Sequence, residues 1–300
     1  MPLPDELIVY PSHGAGSACG KNMSKETTDT LGNQKKTNYA LRADMTKQEF
    51  TDELLDGLGA PPAYFPQNVM MNIQGYDNLD AIMDKSCRPL PAREFEALAN
   101  QSGAVVLDVR HESDFVKKHI PGSIFIGIQG NFAPWVGALV RDVRQPLLLV
   151  IPEGREQETI MRLARVGFDH ALGYLEGGIA AWEAAGLETD SMASVTPEEF
   201  AACFNNDTLV VDARKPGEYS SERIATALNI PLDTVNEHLA EVPKNETFYL
   251  HCAGGYRSVI MGSILKARGY HNLINVEKGM AGIRSTNVAL THSACPSTLK

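Results

Sequence analysis

Val211-Asp212-Ala213-Arg214 repeats Leu107-Asp108-Val109-Arg110, and Glu218-Tyr219 repeats Asp114-Phe115, both at an offset of 104 residues. Further on, Ala267-Arg268-Gly269-Tyr270 answers Arg165-Val166-Gly167-Phe168, and Glu277-Lys278-Gly279-Met280 answers Glu176-Gly177-Gly178-Ile179. The same signals recur in the same order, so the chain must build one supersecondary unit twice. Within each copy, short apolar runs alternate with helical patterns. That alternation calls for an α/β fold of parallel βαβ units with helices on both faces of the sheet. Functional groups in such sheets gather beyond the C-terminal ends of the strands.

In the first copy, Pro91–Ala99 opens a helix, Val105–Arg110 is a strand ending in a charged turn, and Glu112–His119 is a short helix. Leu147–Ile151 is a second strand, Glu156–Arg165 a helix stopped by Gly167-Phe168, and Leu172–Leu175 a third strand. Asp84–Pro91 reads as a polar boundary before this copy. In the second copy, Thr196-Pro197-Glu198-Glu199 marks a helix start, with Thr196 as N-cap, Pro197 at the first helical position and Glu199 three residues on. Thr247–Leu250 reads as a strand, and Val259, Ile260, Ile264 and Leu265 recur at helical spacing until Arg268-Gly269.

Between that strand and that helix lies His251-Cys252-Ala253-Gly254-Gly255-Tyr256-Arg257-Ser258. A thiol at a strand tip, just before a helix, meets free N–H groups and the positive end of the helix dipole, which favour its anionic form. Two glycines let the backbone curl so that successive N–H groups converge on the sulfur or on an anion bound to it. The first copy differs in this loop. Leu147–Ile151 runs into Pro152-Glu153-Gly154-Arg155-Glu156, with no cysteine and two carboxylates where an anion cradle should be.

The loop from Cys252 to Arg257 resembles the active-site loop of rhodanese-type sulfurtransferases, a cysteine followed five positions later by an arginine. The resemblance implies two tandem rhodanese-like domains, an inactive one over 86–190 and an active one over 191–300. It implies that Cys252 carries sulfur as a persulfide. The N–H groups of Ala253, Gly254, Gly255, Tyr256 and Ser258 would hold the anion, and Arg257 would supply charge and help fix the loop. Asp212 is then the expected carboxylate near Arg257, though the two could equally be an ordinary structural ion pair. Tyr256 would shape the mouth. His251 points to the opposite face of its strand and reads as a core or surface residue rather than a base. The second copy departs from the family's His-Ile-Pro-Gly-Ala type turn, with Arg223-Ile224-Ala225-Thr226-Ala227, whereas the first keeps His119-Ile120-Pro121-Gly122-Ser123.

The segment 1–85 is thin in apolar residues for a core of its own. Leu7–Tyr10 reads as a short strand, Ser24–Ala43 has weak helical periodicity, and Thr46–Leu58 is a helix with Thr46 and Glu49 as a capping box. Gly59–Gln67, with its three prolines, reads as loop. Tyr10–Gly20 resembles the last motif of the metallo-β-lactamase fold, in the branch of persulfide dioxygenases fused to rhodanese domains. The resemblance implies a partial segment of that fold, 1–85, ahead of the two domains. One imidazole, His13, cannot hold a metal that needs three or four protein ligands, so no metal or other cofactor is expected. Cys19 reads as a second sulfur-handling thiol or a buried small residue, and Cys295 as a resolving thiol or a mobile tail residue.

The net charge of −10 argues against nucleic acid or an anionic membrane as a general partner. No apolar stretch reaches the length of a membrane span, and the five scattered cysteines show neither a disulfide framework nor zinc spacing. The expected location is the reducing cytoplasm. The expected partners are a small sulfur donor and a thiol acceptor, with a metallo-β-lactamase-fold dioxygenase and self-association left open. Two other functions compete: a cysteine phosphatase or arsenate reductase, which the short loop argues against, and a non-catalytic scaffold for a dioxygenase.

Overall fold

The computed structural model describes residues 3–12, 26–55 and 64–292. The chain separates into two compact units, Met1–Pro61 and Pro62–Lys300. In the first, β1 (Ile8–Val9) pairs antiparallel with β2 (Asp29–Thr30), followed by α1 (Leu31–Thr37) and α2 (Lys47–Leu55). Both helices begin at side-chain caps, the second of which was legible in the sequence. Thr30 Oγ1 accepts from Asn33 N–H at 3.2 Å, and Thr46 and Glu49 exchange reciprocal bonds at 3.2 and 2.8 Å. His13 and Cys19 lie outside the described residues.

The second unit opens with α3 (Phe65–Gln74) and α4 (Leu79–Ser86). Where a loop was expected through Gln67, a helix has already begun at Phe65. Pro66 sits in its first turn, where the missing N–H costs nothing. The first repeat then follows: β3 (Pro89–Leu90), α5 (Ala92–Gln101), β4 (Val105–Asp108), α6 (Glu112–Lys117), β5 (Ile124–Phe125), α7 (Phe132–Leu139), β6 (Leu147–Val150), α8 (Glu156–Ala164), β7 (Ala171–Leu175) and α9 (Gly178–Ala184). Its five strands pair in the order β3-β7-β6-β4-β5, all parallel. The expected boundary at Asp84–Pro91 therefore contains an edge strand, since Pro89-Leu90 completes the sheet beside β7.

The second repeat comprises β8 (Ser194–Val195), α10 (Pro197–Cys203), β9 (Val210–Asp212), α11 (Pro216–Ser221), β10 (Glu222–Ile224), β11 (Leu228–Asn229), β12 (Phe248–His251), α12 (Tyr256–Ala267), β13 (Leu273–Val276) and α13 (Gly279–Ile283). Its sheet order, β8-β13-β12-β9-β11, is that of the first, again parallel throughout. The capping box read at Thr196 is present, with Glu199 N–H donating to Thr196 Oγ1. The departing turn at Arg223 has its own use. β10 pairs antiparallel with β14 (Leu290–His292), so the tail expected to fray from Thr291 is a strand as far as His292, and Cys295 lies beyond the described residues.

The two repeats share one core. Phe115, Phe125, Phe132, Leu149 and Phe168 from the first form a continuous apolar cluster with Val211, Leu250, Ile260, Met261 and Leu265 from the second. Helix α12 is the reason. Every residue from Ser258 to Leu265 is buried, because one side covers its own sheet and the other covers β5 of the first repeat. The backbone N–H of Phe125, on that sheet edge, donates to Ser263 Oγ of α12 at 2.9 Å. No described helix is long and apolar enough to cross a membrane.

Candidate active site

Strand β12 lies in the interior of its sheet, between β9 and β13, and delivers Cys252 just beyond its C-terminal end. The thiol is 1% exposed, and Sγ accepts from Gly255 N–H at 3.2 Å. Gly255 reaches this position with φ 106°, a conformation that glycine alone adopts without strain. The next amides, of Tyr256, Arg257 and Ser258, open α12 and have no carbonyl one turn earlier in the helix. The curled loop with a sulfur at its centre is therefore present, and Gly254 is its exposed residue.

A second helix holds the loop from behind. At the start of α13, Met280 N–H donates to Cys252 O at 2.7 Å and Ala281 N–H to Ala253 O at 2.9 Å. These two bonds engage the Cys252 and Ala253 carbonyls on the side of α13. They require Gly279. A Cβ there would fall 2.8 Å from the Cys252 carbonyl carbon and overlap its oxygen. Ser258 contributes from within the loop, its hydroxyl donating to Gly255 O at 2.9 Å. It fixes the turn and makes no bond to sulfur.

Arg257 and Asp212 do not meet as expected. Arg257 donates through both terminal nitrogens to the two oxygens of Glu218, each at 2.7 Å. That pairing holds Glu218 below the usual carboxylate range and raises the guanidinium further. Glu218 stands in the first turn of α11, the element beside the loop. Asp212 is instead fully buried against Arg214, accepting from its Nε at 3.0 Å and its Nη2 at 2.6 Å. Asp108 and Arg110 make the same bonds in the first repeat, at 3.0 and 2.6 Å, and each arginine also donates to a backbone carbonyl eight residues on. A pair built identically beside a loop without cysteine belongs to the fold, not to the sulfur site. Chain geometry explains the shorter link, because an Arg two residues from an Asp curls back across the strand end.

Tyr256 is also placed differently. Its hydroxyl donates to Gly127 O of the first repeat at 2.7 Å, and its ring stands edge-on to Phe125. Burial pushes its phenol well up. A Cβ on Gly130 would fall 2.7 and 2.8 Å from Tyr256 Cε1 and Oη, so two glycines of the first repeat form a socket for this ring. Rather than shaping an open mouth, Tyr256 anchors the loop to the neighbouring domain. The double glycine, Gly127 and Gly130, was the available signal. His251 is a core residue, fully buried, with Nδ1 3.3 Å from Cys252 O and Nε2 3.8 Å from Asp212. Burial pushes its pKa down.

The register of the sheets aligns the two loops. Asp108 pairs with Val150 as Asp212 pairs with His251, so Ile151 takes the place of Cys252, Gly154 that of Gly255 and Glu156 that of Arg257. In this loop Gly154 N–H donates to Glu156 Oε1 at 3.1 Å. The amide that holds sulfur in one domain is occupied by a carboxylate in the other. Among the described residues, no group of three His, Cys, Asp or Glu side chains could hold a metal ion.

Comparison with known proteins agrees with this geometry. The model of the rhodanese-like domain matches twice, over residues 91–185 and 196–286. A sulfurtransferase of Allochromatium vinosum is 31% identical over 74 residues, 25% of this chain and 69% of that protein. The thiosulfate sulfurtransferase PspE of Escherichia coli is 39% identical over 67 residues, 22% of this chain and 64% of that protein. Among solved structures, a metallo-beta-lactamase from Staphylococcus aureus is 28% identical, with 58% of this chain and 46% of that chain covered at a TM-score of 0.43. With both repeats matched and the cysteine loop seated at a strand tip, the chain belongs to the rhodanese-like domain family and carries that domain twice.

Proposed function

We propose that this chain is a sulfurtransferase that carries a sulfane sulfur on Cys252. The observation that supports it most is the contrast between the two loops. One has a sulfur receiving the Gly255 amide at the start of a buried twelve-residue helix, and the other has that amide closed by Glu156. The reaction is a two-step covalent transfer. The Cys252 thiolate attacks the outer sulfur of thiosulfate, the S–S bond of the donor breaks, and sulfite leaves with the bonding pair. Cys252 is then a persulfide anion. A thiolate, sulfite or cyanide attacks the terminal sulfur and releases the Cys252 thiolate again, so no external oxidant or reductant is consumed. A low-molecular-weight persulfide would donate in the same way, with a thiolate as leaving group.

The loop amides stabilise the anionic sulfur as an oxyanion hole stabilises oxygen. Arg257 acts through Glu218, tying the loop to α11. Its engagement also argues against a phosphatase, whose arginine must be free to fork onto phosphate. Incubation with thiosulfate, or separately with glutathione persulfide, should add one sulfur, about 32 Da, to the intact protein through the covalent intermediate. Cyanide should remove the adduct, and Cys252→Ser should never gain it. No adduct from either donor would overturn the reading.

A second reading concerns the first unit, where Leu7, Ile8, Tyr10, Leu54 and Leu55 are exposed. We read it as a piece of a metallo-β-lactamase-type fold that engages a dioxygenase of that fold. Size-exclusion chromatography with such a protein should show a complex, and separate elution would remove this reading.

A further inference from the structure

Lys278 is the only residue other than glycine with φ in the left-handed region among the described residues, at φ 57° and ψ −1°. The repeat shows what that position requires. Its counterpart Gly177 also precedes a short helix and has φ 69° and ψ 7°. The turn demands the left-handed conformation in both domains. The domain whose loop lacks a cysteine meets it with glycine, whereas the domain with Cys252 meets it with lysine, in a conformation that a side chain strains.

The strained residue adjoins the sulfur loop. Lys278 N lies 3.4 Å from where a Cβ on Gly255 would stand, and the next two residues are Gly279 and Met280, which pack on and bond to the Cys252 carbonyl. The charges around the loop sharpen the point. Arg257 is neutralised by Glu218, and Arg214 by Asp212. The Lys278 side chain is exposed and has no hydrogen bond or ion pair among the described residues. Its neighbour Glu277 has Ser194 Oγ 3.4 Å from its carboxylate. Among the described residues, Lys278 thus adds beside the loop an exposed cation with no ion-pair partner.

We propose that Lys278 is a specificity-determining residue of the Cys252 site, attracting small sulfur anions such as thiosulfate and orienting them toward the thiolate. The inference rests on the sulfurtransferase reading for the identity of the anion, but not for its test. Cys252 is alkylated with iodoacetate, an anion, and with iodoacetamide, its neutral analogue, and the rates are read by peptide mass in wild type, Lys278→Gly and Lys278→Arg. A unit charge within reach of the site predicts an iodoacetate rate about fivefold lower in Lys278→Gly, with the iodoacetamide rate within about twofold of wild type. Lys278→Arg should restore the iodoacetate rate, and salt should shrink the difference. Lys278→Gly should keep or gain thermal stability, because glycine relieves the turn, so that a lower rate does not reflect unfolding. A ratio of the two rates that is the same in all three proteins overturns the proposal, and so does a wild-type thiol that iodoacetate does not reach. A ratio that shifts as expected in a protein that takes no sulfur from thiosulfate or persulfide would leave Lys278 an anion guide and remove the sulfurtransferase reading alone.

Discussion

Glu218 and His251 set how the site responds to acid. Glu218 is held below its ordinary range by Arg257, so its stabilisation is present above the unfolded value of about 4.3 and is lost as pH falls through its lower folded value. His251 is kept neutral by burial, so the unfolded chain binds a proton below about 6.5 that the folded chain refuses, and stability erodes as pH falls from there. Urea midpoints measured against pH should therefore decline in two stages. Glu218→Gln should be less stable than wild type at pH 7, with the gap closing below about pH 4. His251→Gln should flatten the upper stage without abolishing it, because His119, buried and likewise pushed down, titrates in the same direction. A gap for Glu218→Gln that persists unchanged at the acid end would mean that the ion pair does not govern it. At this scale the sequence was partly legible. Strand alternation put His251 on the face away from Cys252 and left core and surface open, which the structure resolves as core, and the cysteine at a strand tip followed from one apolar run and two glycines. Asp212 was given the wrong partner, Arg257 in place of Arg214, although the corrective signal was present: Asp-x-Arg occurs in both copies.

Among the elements, α13 shows how a short helix can matter to chemistry it never touches. Its first amides fix the carbonyls of the sulfur loop, and Gly279 makes the approach possible. Gly279→Ala combines a left-handed φ of 49° with overlap on the Cys252 carbonyl, and should cost on the order of 3 kcal/mol and abolish sulfur loading. Gly178 is the internal control. It has φ 59° but nothing within 4 Å of its Cβ position, so Gly178→Ala should cost only about 1 kcal/mol and leave loading intact. Thermal melts and intact mass on the two variants check both statements, and equal losses would show that α13 does not position the loop. Elements with caps or sharp stops were readable, as at Thr46, Thr196 and Gly269. Helix α7 was not, because Phe132–Leu139 is apolar on nearly every face and offers no period to detect. Pairing of β10 with β14 was equally hidden, since it joins segments far apart in the chain and rests on backbone bonds that any side chains allow.

In the whole molecule, the first repeat is bound to the second beside the Cys252 loop. Tyr256, between Gly255 and Arg257, is held in a socket of Gly127 and Gly130, and Ser263 caps the edge strand β5. Gly130→Ala should force the ring out, break the Tyr256–Gly127 bond and destabilise by about 1–3 kcal/mol, as overpacking does. It should also slow sulfur loading at a site in the other domain. Unchanged loading in a destabilised variant would show that the socket serves stability alone. The repeat foretold both sheets, but not which faces they would share, because contact between copies depends on surfaces no local pattern encodes. The joint core has one further consequence, which concerns synthesis. A ribosome delivers about 5–20 residues per second, so the first repeat emerges several seconds before α12 exists. During that interval the edge of β5 and the apolar face around Phe125 lack the cover that α12 supplies. The first repeat is thus made first and covered last, and the nascent chain is open to capture by chaperones, or by another copy of itself, until the helix that follows Cys252 arrives.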